Sequence, residues 1–154
     1  MEWSIKHFKQ LSPEEFYQWT QLRLEVFVVE QNCPYQDLDG KDLSSYHVLG
    51  KANGRVLAGS RLLPPGLSYE GFASIGRVVT HPEIRHTGAG RLVMKQSLSY
   101  CESFFEGSAI KISAQSYLIR FYESFGFEKT GEEYLEDNIP HWAMIRPSGL
   151  PLPD

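Results

Sequence analysis

The sequence predicts an α+β (mixed α/β) domain, a mixed sheet with helices on its faces. Three observations carry that expectation. Apolar residues alternate with period two at the start of the chain, recur at spacings of three and four from Phe16 to Val29, and form two strand-like runs on either side of Asn53-Gly54. Period two marks a strand, spacings of three and four mark a helix, and Asn-Gly between apolar runs marks a tight hairpin. Helix and strand patterns then interleave to the end of the chain, as they do where helices pack on a sheet. With 154 residues, 42% of them hydrophobic and 13% aromatic, the chain has the length of one domain. A chain of that size buries roughly 70% of its unfolded surface without needing disulfides or a metal.

Each element has a local reason. Trp3 to Phe8 alternates and reads as a strand. Ser12-Pro13-Glu14-Glu15 opens a helix: Ser12 can accept from an orphan N–H, Glu15 can return a bond, and Pro13 suits the first helical position. Phe16, Trp19, Leu22, Val26 and Val29 carry that helix to about Gln31, where Asn32-Cys33-Pro34 stops it. Tyr35 to Ser45 is polar and acidic and reads as a solvated loop. Tyr46–Ala52 and Arg55–Leu63 form a hairpin across Asn53-Gly54, and Pro64-Pro65-Gly66 breaks its second strand. Phe72 to Thr80 is a buried strand, enriched in β-branched residues. Gly88 to Phe105 is an amphipathic helix whose apolar face includes Val93 and Cys101, and Ala109 to Ala114 is a short strand. A short helix over Ser116–Ser124 follows, with Gly126 as its left-handed cap. Phe127–Tyr134 and His141–Ile145 are the last strands, joined by a loop from Leu135 to Pro140, and the Pro-rich tail from 146 to 154 is expected to be loose. No repeat or linker divides residues 1–154, so one domain is expected.

Composition narrows the function classes. A formal charge of −4 argues against a nonspecific nucleic-acid binder, which relies on Lys and Arg to neutralise phosphates. No strictly apolar run exceeds four residues, Val26–Val29 being one, so no membrane span is expected. Met1 to Lys6 has neither the apolar core nor the cleavage site of a secretory signal. Cys33 and Cys101, the two cysteines, form no disulfide framework, and a reduced, cytoplasmic location is expected. Charge is sorted along the chain: +3 from Arg77 to Lys95, −3 from Glu30 to Asp42 and −4 from Glu128 to Asp137. That sorting suggests an anionic ligand at one segment and a cationic one near the acidic segments.

The stretch that bears on chemistry runs from Ile75 to Met94, a strand, a short loop and a helix start containing Arg85, His86, Thr87, Gly88, Ala89 and Gly90. Glycines remove side chains where backbone must approach a ligand, and a helix start offers unpaired N–H groups with partial positive charge, so this is an anion site suited to a pyrophosphate. A ligand-free Gly-rich turn is the plain alternative. The lysine of a GxxxxGK[ST] loop is missing, which disfavours an NTPase. The segment resembles motif A of the GNAT superfamily of acyl-CoA-dependent N-acetyltransferases, [R/Q]xxGx[G/A], through Arg85, Gly88 and Gly90. Phe121-Tyr122-Glu123-Ser124-Phe125-Gly126-Phe127, about thirty residues after Gly90, is similar to that superfamily's FYxxxGF motif. The stretches Val26–Tyr35, Ile75–Val79 and Glu136–His141 resemble the ElaA-type branch, so that the similarity covers nearly the whole chain.

The resemblance implies a central, mostly antiparallel sheet of six to seven strands, with strand four bulged and splayed from strand five. It implies acetyl-CoA as cosubstrate, with no metal. Val78, Val79 and Thr80 would offer main-chain groups to the pantetheine arm, Arg85 to Gly90 would hold the pyrophosphate, and Gln115 stands where the family often has Asn. Tyr122 corresponds to the tyrosine that protonates the departing thiolate in many relatives; from its position alone it is a core aromatic. An amine attacks only when neutral, so a base is required. Glu30, Glu133, Glu136 and His141 are the candidates, of which Glu136 and His141 are taken forward. Asp37 to Asp42 resembles a calcium loop only in its acidity, lacking the ligand spacing. His7 and His47 carry no ligand spacing and read as structural. The expected partners are acetyl-CoA and an amine acceptor of small-molecule or peptide class, with no nucleic acid, no membrane and a homodimer left open. A nonenzymatic acyl-CoA sensor or scaffold is the alternative function.

Overall fold

A computed structural model describes residues 1–154. Strand β1 (Glu2–His7) pairs antiparallel with β2 (Tyr46–Ala52), β2 with β3 (Arg55–Leu63), and β3 with β4 (Ser74–Thr80). In a second antiparallel sheet, β7 (Ile139–Arg146) lies between β5 (Ile110–Gln115) and β6 (Glu128–Glu136). The sheets meet at a parallel bridge from Ala73 to Ile110, where Lys111 N donates to Ala73 O. Beyond that bridge β4 and β5 part, which gives the expected split between the fourth and fifth strands as sheets of four and three. No helix is long and apolar enough to cross a membrane.

Helices cover both faces. Helix α2 (Ala89–Phe104) and the short α3 (Ile119–Glu123) pack on one face around Val48, Leu62, Ile75, Ile112, Phe125 and Met144. Helix α1 (Pro13–Leu24) covers the other, where Trp19, Leu22 and Val26 meet Leu49, Val56 and Val79. Its start carries the expected capping box, with Ser12 accepting from Glu15 N and Glu15 accepting from Ser12 N. Trp19 explains Gly59: a Cβ there would stand 2.6 Å from the indole and 2.5 Å from Val48 O, inside van der Waals contact. Trp19 Nε1 donates to His47 Nδ1, so His47 Nε2 carries the proton and donates to Asp42 O. Burial brings the His47 pKa down to about 4, and this histidine is structural, as expected. Cys101 lies in the core, where burial pushes its thiol up to about 12.

Four local expectations change. The first helix does not run as α to Gln31. It widens over Glu25–Glu30 into a π-helical segment, with Gln31 N bonding Val26 O and Cys33 N bonding Val28 O, and the wider turn rotates Glu30 and Gln31 out of the α-helical phase. The expected Leu135–Pro140 loop is instead a two-residue turn, Asp137-Asn138, with φ of 50° and 63°. Those values suit a type I′ hairpin, and Asp and Asn tolerate them. The acidic loop is not solvated: Asp37 and Asp42 are buried against Arg23, Arg61 and Arg77. Finally, the tail is tied down as far as Pro151, because Arg146 donates to Phe125 O, Leu150 O and Pro151 O and pairs with Glu102.

Strand β4 carries a bulge. Gly76 opposes Arg61 and Val79 opposes Gly59, so Arg77 and Val78 together oppose Ser60. Arg77 is the extra residue, at φ 51°. The insertion resets the alternation: Val78 packs with Ile75 on the α2 face, whereas Arg77 reaches Asp37 on the α1 face.

Candidate active site

The parting of β4 from β5 opens a slot of about 790 Å³. Its strand-borne walls present β4 residues Gly76 to Thr80 and β5 residues Ile112, Ser113 and Gln115. Past Ala73 the facing edges of the two strands are not paired with each other, and unpaired backbone edges suit a ligand that itself carries amides.

One end of the slot is built by the start of α2. Gly88, at φ 87°, is the N-cap, and beyond its own chain neighbours nothing lies within 4 Å of the point where its Cβ would be. Gly90 stands in the first helical turn, with nothing nearer its Cβ position than Phe121 at 3.9 Å. The first-turn N–H groups therefore lie at an uncrowded surface beside Arg85, His86, Ala89 and Arg91. Such a cradle fits a pyrophosphate. Arg85 is already engaged, with Nη2 3.0 Å from Glu30 Oε1 and Nη1 2.8 Å from Glu30 Oε2. Arg77, counted in the +3 segment, is tied to Asp37. The basic segment is therefore more neutral than its sequence count.

Tyr122 also lines the slot. Its ring is buried edge-on to Phe121 and Phe127. Burial, and next the neighbouring Tyr117, push its pKa above the ordinary phenol value, so the hydroxyl stays protonated.

The other end gathers polar groups from β5, β6 and β7 onto one sheet face. Ile110, Ile112 and Ala114 point into the core, which leaves Ser113 and Gln115 on the opposite face. Gln115 pairs with His141, His141 with Tyr134, and Ile139 with Glu136, and directly paired strand residues share a face. Ser113 Oγ accordingly meets Tyr134 Oη and donates to Glu136 at 3.3 Å. His141 Nδ1 lies 2.6 Å from Ile139 O, and since a carbonyl only accepts, Nδ1 carries the proton. Nε2 is left 3.4 Å from Glu136 Oε2. The π-helical segment and the loop after it bridge this end: Glu30 pairs with Arg85, Gln115 donates to Gln31, and Cys33 Sγ donates to Asp137 O.

Of the residues singled out from sequence, Val78, Val79, Thr80, Arg85, His86, Gly88, Ala89, Gly90, Gln115, Tyr122, Glu136 and His141 line this slot. Thr87 does not: its hydroxyl donates to Ile84 O inside the turn. Nor does Glu133, an exposed carboxylate that accepts from Ser116. Glu30 is in the slot but held by Arg85. Sequence reasoning missed Arg77, Tyr35, Ser113 and Tyr134 as site residues. The strand alternation that places Ser113 was readable, and a bulge in strand four was expected with Gly76 inside that strand, but which side chain the bulge would aim was not.

The comparisons with known proteins agree with this architecture. A family model described as an acetyltransferase (GNAT) domain matches residues 8–146. The protein ElaA of Escherichia coli K12 is 40% identical over 148 residues, covering 95% of this chain and 96% of that protein. A crystal structure of an acyl-CoA N-acyltransferase from Pseudomonas aeruginosa superposes with a TM-score of 0.90 at 42% identity, covering 95% of this chain and 99% of that one. The crystal structure of Escherichia coli ElaA gives 0.87 at 40% identity, with 95% and 99% coverage.

Proposed function

The chain belongs to the GNAT acetyltransferase family, and on that premise we propose that it moves an acetyl group from acetyl-CoA to a primary amine by direct attack in a ternary complex. The observation that supports this most is one continuous slot lined by both the Arg85–Gly90 helix start and the His141–Glu136 pair, with Tyr122 in its wall. Acetyl-CoA, when bound, supplies the thioester whose C–S bond breaks as the amine nitrogen bonds to the acyl carbon. The residues divide the remaining work. Main-chain groups of Val78 to Thr80 orient the acyl arm, and one N–H there polarises the carbonyl. His141, its Nδ1–H held by Ile139 O, offers Nε2 to take the proton from the attacking nitrogen, and Glu136 gives the resulting imidazolium a counter-charge. Tyr122 donates a hydrogen bond to the departing sulfur.

The test is a thiol-release screen with acetyl-CoA against polyamines, amino acids and peptide amines. Release above the hydrolytic background with at least one acceptor is expected. Silence across the panel alongside tight coenzyme A binding would contradict transfer and favour a nonenzymatic acyl-CoA sensor.

A further inference from the structure

Arg77 sits at a strained point and is held by a network of fixed charge. Its φ of 51° is unusual for a residue with a side chain. Its Nε donates to Asp37 Oδ1 at 2.8 Å and its Nη2 to Asp37 O at 2.9 Å. Asp37 is in turn held by Arg23 and by the Tyr35 hydroxyl, and Arg23 and Arg61 hold Asp42 and Asp39. Three arginines and three aspartates cancel, yet they are not presented equally. Only Arg77 of the six lines the slot, together with Tyr35, whose ring lies 5.4 Å from the Arg77 guanidinium carbon. Arg77, one-fifth exposed, has Nε and Nη2 held by Asp37, while its Nη1 makes no hydrogen bond with the chain.

Arg77 also stands opposite the base. It lies four residues beyond Ala73, as Ala114 lies four beyond Ile110, and Ala73 and Ile110 are the parallel bridge where the sheets meet. Because the bulge adds one residue to β4, Arg77 comes near the level of Ser113 across the opening, and both line the slot. The bulge puts its side chain on the sheet face that carries Ser113, Tyr134, Glu136 and His141. One lip of this end of the slot bears a fixed cation and the other a carboxylate with a proton acceptor.

We propose, resting on the transfer reading above, that the acceptor is an amino carboxylate: its carboxylate binds the Arg77 guanidinium while its amine is drawn to the Glu136–His141 lip. An arginine with two bonds already fixed loses little freedom in binding a carboxylate, and a guanidinium matches that group in geometry and charge. The transfer balances without the carboxylate. The amine nitrogen gains the acyl carbon, sulfur leaves with the C–S electron pair, His141 takes the proton from nitrogen, and the acceptor's carboxylate is unchanged in the N-acetyl product.

The experiment compares free amino acids with their α-carboxamides, which keep the shape and remove the charge. Binding of both series to the coenzyme A-saturated protein is measured by calorimetry, and thiol release from acetyl-CoA is measured in parallel. For the best-bound amino acid, at least about tenfold tighter binding than its amide is expected, and Arg77→Gln is expected to bring that ratio close to one while the protein still binds coenzyme A. A ratio near one or below in the wild type, or no binding by any amino acid, overturns the proposal without any variant having to fold. Thiol release with amides or polyamines but not with amino acids overturns it too and leaves acetyl transfer standing. Carboxylate-selective binding with no thiol release from any amine supports the Arg77 site and contradicts the transfer reading.

Discussion

Tyr122 lines the slot with a buried ring and a hydroxyl that burial keeps protonated. Tyr122→Phe keeps the ring packing and removes the donor. It is expected to leave coenzyme A affinity within about twofold and to slow the acyl-transfer step by roughly 10²-fold, the usual scale of one positioned proton donor. Single-turnover rates equal to wild type would return Tyr122 to the core. Glu30 presents the opposite case, a carboxylate engaged with the arginine expected to meet the phosphates. An anion arriving at Arg85 must displace or share that pair, and a half-exposed ion pair is worth up to about 1 kcal/mol. Glu30→Gln should therefore raise coenzyme A affinity by up to about fivefold at low salt, with the gain fading as salt is added. Affinity that falls or does not move would mean Arg85 and the phosphates do not meet.

At the scale of elements, the π-helical segment Glu25–Glu30, the β4 bulge and the Asp137-Asn138 turn shape the Ser113–His141 end of the slot; the family resemblance implied the bulge, whereas the π-helical segment and the tight turn were not legible. The sequence does show the apolar spacing that continues from Trp19 through Val26. A switch from α to π bonding leaves that spacing nearly untouched, so nothing warns that Glu30 rotates toward Arg85. The start of α2 was legible because its pattern is local: a Gly at the N-cap, another in the first turn, and an Arg between strand and helix. The acidic loop misled for the reverse reason, since its partners Arg23, Arg61 and Arg77 lie on three different elements. Burial alone would raise the Asp39 pKa, but the Arg61 hydrogen bonds and further cationic neighbours bring it down to about 2. Arg23 is fully buried between Asp37 and Asp42. Arg23→Met would leave those carboxylates without their cation and is expected to cost about 3–5 kcal/mol in denaturant unfolding. A loss under 1 kcal/mol would mean the loop opens to water and that Arg77 is not rigidly backed.

At the scale of the molecule, acid stability follows from groups in this same region. His47 titrates at about 4 when folded and at the ordinary histidine value of 6.5 when unfolded. The unfolded chain therefore binds more protons between those values, and stability present above pH 6.5 is lost as the pH falls toward 4. The displacement corresponds to about 3 kcal/mol. Asp39 adds a second loss between its ordinary 3.8 and about 2. Melting temperature should decline in both windows, and His47→Gln should flatten the upper one; an unchanged slope would mean His47 is not the titrating group. The layered fold was readable from the periodicities because each helix and strand buries one face. The periodicities did not show the division into sheets of four and three, which depends on where β4 and β5 stop pairing and was expected only from the family resemblance. That opening is where an acyl-CoA is proposed to lie, and Gly90 allows a direct test. A side chain there meets nothing nearer than Phe121, a non-glycine residue favours a helix, and an acidic one favours its first turn. Calorimetry of coenzyme A on wild type and Gly90→Glu, with a thermal scan of each, separates ligand from fold. The variant should melt no lower than wild type and bind coenzyme A at least about 100-fold more weakly; a folded variant with undiminished affinity would contradict a pyrophosphate at the start of α2.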